Sequence, residues 1–162
     1  MGTIHLQVID YSISSDWWKK LVGQFVCVGD ELEIRCWKKE IFEIQQASRY
    51  GTLMDDGFEV SVKGTVTDAL LTELLAESPA DDDGFHKMTK YFSVLIKRDS
   101  MKFYSEHYGT ELYIIGASSD DTQMLFNAVK LSLWICSEFL PQKEFRPFSI
   151  TIHSEKSKLR NF

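Results

Sequence analysis

The chain has 162 residues, 44% hydrophobic, 13% aromatic and 26% charged, which is enough apolar material for one sizeable core and excludes wholesale disorder or a fibrous repeat. Its formal charge of -6 argues against direct nucleic-acid binding, which calls for a basic stripe. Residues 1–162 are therefore expected to form a single globular α+β domain, with an acidic loop near 78–88 and a polar tail over 154–162.

The N-terminal Met1-Gly2-Thr3-Ile4-His5-Leu6 lacks the charged flank and apolar run of a secretory leader, and Leu6 stands where a myristoylation site wants Ser or Thr. A cytoplasmic protein is expected. From Thr3 to Asp10, Ile4, Leu6 and Val8 alternate with His5, Gln7 and Ile9, the pattern of a strand with one buried face. Ser14-Ser15-Asp16 offers an N-cap, after which Trp18, Leu21, Val22, Phe25 and Val26 fall at helical spacing up to Gly29. A shorter helix stopped at Gly23, followed by a hairpin across Gly29-Asp30, competes with that reading.

Glu31–Trp37 and Phe58–Val66 alternate as half-buried strands, with Asp55-Asp56-Gly57 as a turn between them. Ile41–Ala47 fits either regular structure and is assigned to a strand. Thr67-Asp68 caps a short helix whose Leu70, Leu71, Leu74 and Leu75 make one apolar stripe ending near Pro79. Tyr91–Lys97, Met101–Tyr108 and Glu111–Ala117 read as a three-stranded meander. Ser118-Ser119 is expected to open the longest helix, running to Pro141, with Trp134 in the middle of its polar sector, either covered by another segment or a partner-facing anchor and counted among the partner contacts. Pro147–His153 returns as a strand. The whole suggests an antiparallel or mixed sheet of six to seven strands backed by about three helices.

Chemical signatures are absent from the pattern. His5, His86, His107 and His153 are scattered, and Cys27, Cys36 and Cys136 form no C-x-x-C pair, so no metal, no cofactor and three reduced core thiols are expected. Asp81-Asp82-Asp83-Gly84 lacks the alternating ligands and terminal Glu of a calcium loop. No glycine-rich phosphate cradle opens a helix, and no catalytic residue is assigned. Ser105, Glu106, His107 and Tyr108 adjoin a turn, but neighbours in a strand face opposite sides. An enzyme of unfamiliar type using carboxylate or His107 chemistry remains the alternative.

The distribution of charge carries more information. Nine carboxylates and one lysine lie between Asp55 and Asp83, a charge of -8 against +2 for the rest of the chain. Asp55, Asp56, Glu59, Asp81, Asp82 and Asp83 are the expected contacts for a cationic protein partner, which such a field would steer. In size, acidity and lack of catalytic motifs the chain is similar to bacterial immunity proteins. That resemblance implies a small inhibitor that neutralises a toxin domain, perhaps a nuclease, by covering its basic surface; an adaptor or other protein-interaction domain is the other non-enzymatic reading.

Overall fold

The computed structural model describes residues 2–9, 12–76, 79, 84, 86–118 and 120–121, together with the backbone of 133–139. Eight strands form one sheet: β1 (Gly2–Val8), β2 (Glu31–Trp37), β3 (Gly51–Asp56), β4 (Glu59–Thr65), β5 (Ser93–Arg98), β6 (Met101–Glu106), β7 (Glu111–Ala117) and β8 (Leu133–Phe139). Their spatial order is β3-β4-β2-β5-β6-β7-β1-β8, with every pairing antiparallel. Among the described residues three helices are seen end to end, α1 (Asp16–Phe25), α2 (Ile41–Ala47) and α3 (Asp68–Ala76), and a further one begins at Asp120, giving an α+β architecture.

The period-two alternation assigns the faces. Ile4, Leu6, Leu32, Ile34, Val62, Val94, Ile96, Phe103, Leu112 and Ile114 are buried in one cluster with Trp18, Leu21 and Val22 of α1 and Leu70 and Leu74 of α3. The opposite face carries no described helix. Across it the register aligns Lys63, Glu33, Leu95, Tyr104, Tyr113 and His5 on six successive strands.

Trp18 fixes α1 over the sheet, because its buried indole N–H donates to the buried Ser105 hydroxyl at 2.8 Å and so leaves neither polar group unpaired. The longer helix is the one that forms, with Gly23 inside it. It stops at Phe25, short of Gly29, which lies in the following turn. At α3, the Thr67 hydroxyl accepts from the Leu70 N–H, the cap expected of it.

Three assignments are corrected. Ile41–Ala47 is a helix, started by the Ile44 N–H bond to the Glu40 carbonyl, and of its apolar residues it buries only Ala47 and part of Ile44. Asp55 and Asp56 end a strand, with the reversal at Gly57-Phe58. Leu133–Phe139 pairs with β1 as a strand, so the helix that began at Ser118 does not reach Pro141. Trp134 therefore sits opposite Gln7 in the ladder, and a helical polar sector no longer describes its position. The start of that helix is as expected: Asp121 Oδ2 accepts from the Ser118 N–H at 2.8 Å, and Ser118 Oγ accepts from the Asp121 N–H at 3.1 Å. The expected strand Pro147–His153 and the polar tail lie outside the described residues.

At the foot of the β3–β4 hairpin two glycines meet. A Cβ on Gly51 would stand 2.2 Å from the Lys63 carbonyl oxygen and one on Gly64 would stand 2.1 Å from that of Tyr50, so only this pair permits the backbones to approach.

Candidate functional site

Three segments converge at one end of the sheet: the β2–α2 junction, Gly84 with residues 86–92, and the β6–β7 connection. The last of these is a left-handed turn. His107, Tyr108 and Gly109 have φ of 51°, 59° and 82°, a region that costs an L-residue roughly 1–2 kcal/mol. Five hydrogen bonds hold it there. The Tyr108 N–H donates to the Phe92 carbonyl at 2.9 Å, and the Tyr108 carbonyl accepts from Met88 at 2.8 Å and Thr89 at 3.1 Å. The His107 carbonyl accepts from the Thr110 N–H at 3.2 Å and the Thr110 hydroxyl at 2.8 Å. Gly109 admits no side chain, since a Cβ would lie 2.7 Å from that of Met88.

This turn walls a cavity of about 1000 Å³. Phe92 is part of its lining, with ring centroids 4.7 Å from Trp37, 5.4 Å from Tyr108 and 5.6 Å from His107. The Tyr108 hydroxyl donates to Glu40 at 2.7 Å while the other Glu40 oxygen accepts the Trp37 N–H, and Lys87 Nζ stands 4.6 Å from the Tyr108 ring centre. His86, a further lining residue, also has a left-handed φ of 48°. Backbone strain over-determined by its surroundings concentrates at functional sites.

Beside the cavity Glu111 gathers side chains that the sequence scatters. Its Oε1 accepts from the Tyr113 hydroxyl and from His5 Nε2 at 2.9 Å, and its Oε2 lies 3.5 Å from His107 Nε2. His5 stacks on Tyr113 at 4.3 Å, 3° from parallel. Burial pulls the Glu111 carboxyl upward, but the bonds from Tyr113 and His5 and the charges of His5 and His107 outweigh it and hold the group below the usual glutamate range. Donating its hydroxyl proton to the Glu111 carboxylate pushes the Tyr113 phenol up to about 12. The premise that Glu106 and His107 face opposite sides fails here, because β6 ends at Glu106 and the left-handed turn begins with the next residue.

A second carboxylate is spent indoors. Glu73 of α3 accepts from Tyr50 and Tyr91, each at 2.6 Å, and from the buried Lys90 ammonium at 3.0 Å. Burial alone would raise its pKa; these three donors lower it. The acidic segment thus presents less charge outward than its composition implies. Of its expected contacts, Asp55 pairs with Lys38 at 2.7 Å and Glu59 lies 3.9 Å from Arg35, while Asp56 ends β3. Asp81, Asp82 and Asp83 lie outside the described residues.

Cys36 is the core thiol expected, pushed up to about 12 chiefly by burial, but Cys27 is exposed, a correction to its reading. Among the described residues no helix is long and apolar enough to cross a membrane. Comparison with protein-family models, curated proteins and solved structures finds no match.

The sequence reading missed a further surface. All six residues of β3 are exposed, and β3 pairs only with β4, leaving one backbone edge without a neighbouring strand among the described residues. Along it and its turn Leu53 and Met54 are each 48% exposed and Phe58 is 87% exposed. Ile41 and Phe42, just after the Lys38 that pairs with Asp55, are 59% and 62% exposed.

Proposed function

We propose that the protein is a non-enzymatic binding module that engages a basic, extended segment of a protein partner along β3. What carries the reading is the β3 edge: an open row of backbone donors and acceptors flanked by Leu53, Met54 and Phe58. Soluble proteins ordinarily protect such an edge with charge, proline or a covering element, and strand addition is a common way to use one. The carboxylates of Asp55, Asp56 and Glu59 supply the complementary charge for a cationic segment. The finer role we propose is inhibition, with the module covering a basic surface such as that of a toxin domain in the cytoplasm.

Affinity capture from the source cell with wild type and with a Leu53→Lys/Phe58→Ser variant in parallel tests the reading. One stoichiometric partner with a basic segment should be retained by wild type and lost by the variant. Equal retention by both proteins would sink the β3 surface.

A further inference from the structure

We propose that Glu106, His107 and Glu111 form a binding site for a divalent transition-metal ion such as Zn²⁺. One oxygen or nitrogen from each residue lies within 4.8 Å of the other two, close enough that small side-chain rotations would let one ion reach all three. Two carboxylates and an imidazole suit zinc and its first-row neighbours better than magnesium or calcium, which prefer oxygen alone.

The register supplies a reason for a cation here. Glu106 and Glu111 are directly opposite as the last pair of β6 and β7, and like charges so placed destabilise a sheet. The two Glu111 oxygens are also divided in their duties. Oε1 is occupied by Tyr113 and His5, whereas Oε2 is turned toward His107 Nε2 at 3.5 Å. Two ligands sharing an ion at 2.0–2.1 Å and the tetrahedral angle stand about 3.3 Å apart, close to that separation.

His5 and Tyr113 would act as positioning residues. Hydrogen-bonded to the outer oxygen and stacked on each other, they fix the carboxylate before an ion arrives, the part that outer-sphere partners play in metal sites. His107 also lines the cavity, so the position left open by three protein ligands lies at its rim, within reach of water or a small anionic ligand. This inference is independent of β3 and its partner.

The test is calorimetric titration of Zn²⁺ into untagged, metal-stripped protein. Wild type should bind one equivalent in the micromolar range. His107→Gly, which keeps the left-handed backbone, and Glu111→Gln should each weaken binding at least about tenfold, Tyr113→Phe about tenfold, and Glu31→Gln on the same sheet not at all. Circular dichroism of each variant checks that it is folded. No heat at millimolar Zn²⁺, or equal affinity in wild type and His107→Gly, would overturn the proposal.

Discussion

His5 on the first strand and Glu111 on the seventh share a hydrogen bond of 2.9 Å across 106 residues of sequence, and the β1–β7 register brings it about by setting His5 opposite Tyr113. The Tyr113 hydroxyl and that bond together make Glu111 a better acid than a free glutamate, and stability then depends on pH with a definite sign. A depressed folded-state pKa contributes stability that is present above the unfolded value of about 4.3 and lost as pH falls through the folded value. Glu73 contributes in the same sense. Urea melts between neutral pH and about pH 3 should show wild type losing more stability on the acid side than Glu111→Gln. Parallel pH curves for the two proteins would refute the coupling.

The left-handed turn makes a second expectation. Gly109 has φ of 82° and no room for a Cβ, so Gly109→Ala should cost about 1–3 kcal/mol, read as a fall in thermal midpoint. Alanine at exposed Gly57, which also has a positive φ but nothing within 4 Å of its Cβ position, should cost less. Equal losses would mean that contact with Met88 and Trp18 contributes nothing.

The two described thiols should differ in reactivity. Native protein treated with iodoacetamide and mapped by peptide mass should carry label on Cys27 and none on Cys36 until denaturant is added, because burial keeps the Cys36 thiol protonated and inaccessible. Labelling of Cys36 in the native protein would contradict its place in the core.

These expectations draw on regions of unequal legibility in the sequence. β1, β2 and β4–β7 could be read because one face of each is packed, so Ile4, Leu6 and Val8 or Leu112 and Ile114 mark every second position. β3 could not, since no residue in it is buried and burial left no alternation to see. In α2 the apolar Ile41 and Phe42 are spent on the surface, which hides the helical spacing of Ile44 and Ala47. Leu133–Phe139 is an apolar run within a longer one, where periodicity alone does not separate helix from strand. At the candidate site, His5 stands on the polar face of β1 and Glu111 and Tyr113 share a face of β7, a visible signal. Joining them required the strand order.

The final expectation separates binding from folding at the proposed partner surface. Leu53 and Phe58 are exposed, so the Leu53→Lys/Phe58→Ser variant should change unfolding free energy by no more than about 0.5 kcal/mol per site. Its affinity for the captured partner should nevertheless fall at least about tenfold, because exposed apolar anchors contribute only once a partner removes them from water. The carboxylates should act on a different step. Asp55→Asn/Asp56→Asn removes charge at the end of β3 while preserving side-chain size, and charges at a rim chiefly set the rate of encounter. Stopped-flow binding should therefore show slower association at low salt with little change in dissociation. The difference should shrink toward physiological ionic strength, where the Debye length is about 8 Å. Equal association rates at low salt would reduce the acids to a solvated surface, and an unchanged affinity in the Leu53→Lys/Phe58→Ser variant would move the interface away from β3.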